Sequence, residues 1–132
     1  MFDKEIPGLK LDIFSKLAVI CPSDAILATN TSSISITKIA AAAKGAENRV
    51  LSTHFMNPVP VLKGVEIITG LQTSDGTLKR ALEFMKAMGK ISSTSKDSPG
   101  FLANRILVCK VLGTFVFVIH SLLNVVRDAV HQ

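Results

Sequence analysis

At 132 residues the chain is long enough for one domain, and with 48% hydrophobic residues it can bury a core, which excludes wholesale disorder. The formal net charge of +5 comes from scattered basic residues with 5% aromatics, which argues against nucleic acid and suits a phosphate-bearing small molecule. Cys21 and Cys109 lie far apart without C-x-x-C spacing, so neither a structural zinc site nor a disulfide scaffold is expected, and free thiols in a reducing compartment are.

The opening "MFDKEIPG" shows no charged segment followed by an apolar run, so no secretory signal is expected and an intracellular, soluble protein is. Leu9, Ile13, Phe14, Leu17 and Ile20 recur at near-helical spacing, and Pro22 stops the run. "AILAT" (25–29) is a short apolar run that opens into the polar cluster "NTSS", the pattern of a buried strand and its loop. "ITKIAAAA" (36–43) is helix-forming and closes at Lys44-Gly45. "RVLSTHF" and "VEIIT" are short and β-branched and predict strands.

Ser74 or Asp75 can cap the next helix, whose stripe is Leu78, Ala81, Leu82, Met85 and Met88, with Gly89 ending it. "KISSTS" (90–95) predicts a further strand, and Pro99 suits the first position of a last helix containing "GFLANRIL". Helices and short strands alternate, which predicts a mainly parallel sheet with helical crossovers. No G-x-G-x-x-G occurs, so the usual phosphate-cradling turn is absent from the sequence. The apolar stretch "VLGTFVFVIHSLL" (111–123) is shorter than the roughly 20 residues a membrane span needs, and predicts a buried or partner-covered helix.

Polar residues gather where the apolar strands run out: Asn30 to Ser33, His54 with Asn57, Glu66, and Asn104. Ligands of open α/β sheets bind at the carboxyl ends of parallel strands, so Asn30–Ser33 and His54 are placed to converge. Oxidation of a secondary alcohol needs a base for the hydroxyl proton, and an imidazole suits that role. A carboxylate such as Glu66 would hold the ring's tautomer, while Ser32 and Asn104 could donate to the reacting oxygen. The residues admit a plainer reading as well, with His54 bonded to backbone inside the core and Glu66 on a strand's solvent face. A serine nucleophile lacks its G-x-S-x-G elbow, and a metal would find one credible ligand instead of three or four.

Three ordered stretches, "ILATNTSSISITKIA", "THFMNPVPVLKGVEII" and "SKDSPGFLANRIL", resemble consecutive motifs of the NAD-dependent 3-hydroxyacyl-CoA dehydrogenases, also called 3-hydroxybutyryl-CoA dehydrogenases. The resemblance runs over about residues 5–108. It implies that His54 is the base, that Glu66, twelve residues on, is its partner, and that Ser32 and Asn104 meet the substrate oxygen. Asn30, Ser32 and Asn57 are implied to line the nicotinamide end of NAD, with Glu5 and Lys10 on the cofactor side. The implied fold is α/β: residues 1–97 form the second half of a Rossmann-type NAD-binding domain, lacking its first βαβ unit. Residues 98–132 would begin a C-terminal helical domain that diverges from the family after about 107. The implied partner is an acyl-CoA substrate, with a homodimer expected of the full-length family. Gly64 stands where the family pattern has a larger apolar residue. The rival expectations are a catalytically inactive interaction or regulatory fragment, and a related hydroxyacid dehydrogenase.

Overall fold

A computed structural model of the chain describes residues 6–114. Two compact units are present, Met1–Phe101 and Leu102–Gln132. The first unit is a four-stranded sheet in the order β1-β2-β3-β4 with helices on both faces.

Helix α1 spans Pro7–Ile20. Proline at its first position costs no hydrogen bond there, and its fixed φ is helical. The helix ends because Cys21 precedes Pro22 and is forced extended, with φ −78° and ψ 146°. Strand β1 is Leu27–Thr29, and α2 is Ile36–Ala42, capped by the Ser35 side chain accepting from the Lys38 amide. One 3-10 turn, Glu47–Arg49, leads into β2, Val50–Phe55. Strand β3 is Gly64–Thr69. Helix α3, Asp75–Ala87, takes Ser74 as its cap, with the hydroxyl accepting from Thr77. Strand β4 is Ile91–Lys96. Helix α4 covers 101–114 of the described residues.

The parallel crossovers carry helices as expected: α2 between β1 and β2, and α3 between β3 and β4. Strands β2 and β3 are antiparallel, because residues 56–63 join them directly and leave no room for a crossover helix. That short loop is held from outside. Lys90 Nζ donates to the carbonyls of Val59 at 2.6 Å and Leu62 at 2.9 Å, and the Val61 and Leu62 amides both donate to Pro58. Gly64 takes no special conformation, and a methyl group there would meet Met56 at an ordinary 3.7 Å.

Pro99 is not the first helical residue. It lies in the turn before α4, where Gly100 has φ 77°, and the first helical residue, Phe101, has φ 46°. The Phe101 ring is buried with Phe14, Ile36, Ile39 and Ile68.

The two sheet faces follow from strand alternation. Leu27, Val50 and Ile68 face α1 and α2, whereas Leu51, Val65 and Ile67 face α3. An apolar cleft of about 350 Å³ lies on the α3 side, lined by Ile26, Ala28, Leu51, Phe55, Phe84 and Met85. Among the described residues its wall carries no carboxylate or imidazole, so acid–base chemistry is sought on the other face.

Asp97 ties the end of β4 to the start of α2. Its Oδ2 accepts from the Ser35 hydroxyl at 2.7 Å and the Thr37 amide at 2.9 Å. Partial burial pushes this carboxyl up, but hydrogen bonds from Ser35, from Thr37 through amide and hydroxyl, and from the Ile36 amide outweigh it and hold it below the usual range. A carboxylate depressed in the folded state stabilises the fold above its unfolded value of about 3.9. That contribution is lost as pH falls through the lower folded value. Asp97→Asn is therefore expected to cost about 1 kcal/mol at pH 7. Thermal melts of the two proteins should differ by several degrees at pH 7 and converge as pH falls through the lowered folded value. A gap that persists unchanged in acid would rule out the charge as its source.

In the second unit α4 exposes Leu102, Ile106, Leu107, Val108, Val111 and Leu112. Among the described residues no helix is long and apolar enough to cross a membrane. Much of the stretch 111–123 lies outside the described residues, as does Glu5.

Candidate active site

On the α1/α2 face the strands turn polar toward the carboxyl ends of β1 and β2. Thr29, Ser52, His54 and Glu66 are all buried. They share this face because they alternate with Ala28, Leu51, Thr53, Val65 and Ile67, which belong to the other. The antiparallel register sets His54 directly opposite Glu66. Cross-strand neighbours point to the same side of a sheet, so the two side chains meet instead of diverging.

Glu66 is 1% exposed, which excludes the plainer reading of a solvent-face glutamate; His54 is buried at 8%, and its ring meets a side-chain hydroxyl instead of backbone. His54 Nδ1 lies 3.6 Å from Glu66 Oε2. That distance is within ion-pair reach and longer than a hydrogen bond, so Nδ1 is buried without a hydrogen-bonded partner. On the far side of the ring, Nε2 is 3.1 Å from the Ser32 hydroxyl. A carboxylate can only accept, so the neutral ring is expected to carry its proton on Nδ1 and leave Nε2 as the acceptor. The Phe101 ring packs edge-on against the imidazole at 6.0 Å between centroids, closing it from water. Glu66 Oε1 in turn accepts from the Ser95 hydroxyl at 2.7 Å.

The loop after β1 is built around Thr31. Its buried hydroxyl accepts from the amides of Ser33 and Ile34, a local turn that sends Ser32 outward toward His54. Asn30 is exposed, and its Oδ1 accepts from the Phe55 amide, which locks the end of β1 to the residue after the histidine. Lys10 is buried on α1 and donates to the Thr29 hydroxyl at 3.3 Å, below Asn30. Asn57 is exposed in the 56–63 loop.

The first unit thus brings Ser32, His54 and Glu66 into one line, with Asn30 and Lys10 at the end of β1. Asn104 is half-buried on α4 and belongs to the second unit. Sequence reasoning missed Ser95, which bonds Glu66, and Ser52, whose buried hydroxyl donates to the Thr29 carbonyl at 3.0 Å. Their signal was the period-two pattern: once Glu66 is set inward, same-face hydroxyls on the neighbouring strands become its candidate partners. Among the described residues no group of three His, Cys, Asp or Glu could hold a metal ion.

Comparisons with known proteins bear on the family of the chain. Residues 4–98 match the model of the 3-hydroxyacyl-CoA dehydrogenase NAD binding domain. The 3-hydroxybutyryl-CoA dehydrogenase of Clostridioides difficile is 46% identical over 101 residues, which is 76% of this chain and 36% of that protein. A probable 3-hydroxybutyryl-CoA dehydrogenase of Bacillus subtilis is 48% identical over 99 residues, covering 75% of this chain and 34% of that one. The crystal structure of (S)-3-hydroxybutyryl-CoA dehydrogenase PaaH1 from Ralstonia eutropha superposes with a TM-score of 0.75 at 47% identity, over 79% of this chain and 36% of that one. The chain therefore spans about a third of the length of these relatives. With a family model covering most of its residues, the chain belongs to the 3-hydroxyacyl-CoA dehydrogenase family, of which it carries NAD-binding-domain sequence.

Proposed function

We propose that the chain carries the proton-transfer site of an NAD-dependent 3-hydroxyacyl-CoA dehydrogenase, which interconverts (S)-3-hydroxyacyl-CoA and 3-oxoacyl-CoA. The observation that supports this most is the line that runs from the exposed Ser32 hydroxyl into the buried His54 ring and on to the buried Glu66 carboxylate. In the oxidative direction Nε2 of His54 accepts the substrate hydroxyl proton, and Glu66 stabilises the imidazolium that forms. Ser32 sits on the same ring nitrogen and orients the substrate oxygen toward it. NAD⁺, when bound, supplies the acceptor for the hydride that leaves the carbinol carbon.

The described residues suit only one end of that cofactor. Asn30, Ser32 and Asn57 offer exposed amide and hydroxyl groups near the strand ends, where they would meet the nicotinamide, with Lys10 behind them. Glu5 and Asn104 keep the roles implied by the family motifs, cofactor side and substrate oxygen respectively. No glycine-rich turn is present in the 132 residues to receive the pyrophosphate. NADH titrated into the purified polypeptide is accordingly expected to bind weakly, and saturable micromolar binding by fluorescence would contradict this.

A second reading has its own support in the run of exposed apolar residues on α4, which suits a catalytically inactive interaction fragment. Reduction of acetoacetyl-CoA at millimolar NADH separates the two. Measurable turnover supports the dehydrogenase; an inactive chain that co-elutes with a partner supports the alternative.

A further inference from the structure

Ser95 has no part in proton transfer itself, yet its hydroxyl is bonded to the carboxylate that faces the base. Strands β3 and β4 are parallel, with Glu66 paired to Ser93, so Ser95 is the next residue along on the same face. From there its Oγ reaches back to Oε1 of Glu66 at 2.7 Å, the short distance expected when a hydroxyl donates to a carboxylate. The other oxygen, Oε2, is the one that faces Nδ1 of His54. The terminal torsion of a glutamate is broad, so nothing intrinsic to Glu66 selects which oxygen points at the ring. Serine is also a poor choice for a half-buried strand position, where β-branched and aromatic residues pack better. Its hydroxyl is explained by the carboxylate.

We infer that Ser95 is a positioning residue: it fixes the plane of the Glu66 carboxylate so that Oε2 faces Nδ1 and the ring keeps its proton there. The inference rests on His54 acting as the base. Without the Ser95 hydroxyl, Oε1 loses a short charge-assisted bond, and the plane that presents Oε2 to the ring is less constrained.

The test compares Ser95→Ala with Ser95→Thr in the full chain. Nitrogen-15 NMR of histidine-labelled protein reads the His54 tautomer without NAD, the resonance being assigned by its loss in His54→Gln. Wild type and Ser95→Thr are expected to hold the Nδ1–H form, and Ser95→Ala to show a mixture. In acetoacetyl-CoA reduction, Ser95→Ala is expected to lose about 10- to 100-fold in kcat with KM for the acyl-CoA unchanged, and Ser95→Thr to recover most of it. A Ser95→Ala protein that keeps the wild-type tautomer overturns the inference. So does a Ser95→Thr protein that folds, as judged by circular dichroism, but shows the mixed tautomer. Because the spectrum is independent of turnover, an inactive wild type would defeat the catalytic reading while the tautomer still decides the role of Ser95.

Discussion

Replacing His54 with glutamine is expected to lower acetoacetyl-CoA reduction by about 10²–10⁴-fold, the range by which a positioned acid or base accelerates proton transfer. Glutamine is the informative choice because its amide still offers a hydrogen-bonding group to Ser32, so the loop after β1 keeps its contact. Only the ability to take a proton near neutral pH disappears. KM for NADH should hold, since the groups proposed to meet the nicotinamide are Asn30, Ser32 and Asn57. Turnover at the wild-type level would remove His54 from the mechanism.

The carboxylate can be tested against the same ring. In Glu66→Gln the Ser95 hydroxyl can still donate to the amide oxygen, which turns the NH₂ group toward Nδ1. Nδ1 must then accept, the ring proton moves to Nε2, and the nitrogen facing the substrate is no longer a base. The loss should approach that of His54→Gln, and the double variant should be little worse than either, because residues acting as one unit are not additive.

How far this site could be read without coordinates depends on the kind of residue. His54 and Glu66 were legible because twelve positions and a short proline-containing loop place them across a pair of adjacent strands, and because their surroundings match a family motif. The mainly parallel sheet followed from helices lying between β1 and β2 and between β3 and β4. The face of α1 was legible only in part. Of the five residues chosen by apolar periodicity, Phe14 and Leu17 lie on the core side, whereas Leu9, Ile13 and Ile20 are exposed, and the inward stripe is completed by Lys10 and Cys21. A periodicity argument weights apolar residues and cannot see a lysine turned inward to meet Thr29. On α3 the same reasoning did better: Ala81 and Met85 are buried, Leu78 and Leu82 partly so, and only Met88 lies outside the stripe. Ser95 and Arg49 were invisible for a different reason. Each acts through hydrogen bonds to residues more than twenty positions away, and no local pattern records such a bond.

Arg49 supplies the second large effect, on stability. Its guanidinium is buried and donates to three backbone carbonyls: Nη1 to Pro22 at 2.6 Å and Ala25 at 2.9 Å, and Nη2 to Ala18 at 3.3 Å. Ala18 lies in the last turn of α1, where carbonyls have no partner within the helix. Pro22 cannot extend the helix to satisfy them, so the arginine does so from the far side of the chain crossing. Arg49→Met keeps an unbranched stem of similar length and removes every donor. It should cost about 3 kcal/mol, as the half-buried carbonyls of Ala18 and Ala25 lose a charged donor while that of Pro22 keeps only the Ala25 amide, and lower Tm by about 10 °C or more. Arg49→Lys should recover only part of this, since one ammonium lacks the fork that spans three separate acceptors. A methionine variant that melts with the wild type would show that those carbonyls find water instead. The consequence reaches the site as well. The parallel pairing of β1 with β2 begins at Leu27 and Val50, immediately beside the carbonyls that Arg49 holds, and ends where Asn30 grips the backbone next to His54. Loosening the first rung of that ladder shifts the strand that carries Asn30 and Ser32 relative to the strand that carries the base, so the methionine variant should lose turnover at temperatures where it remains folded.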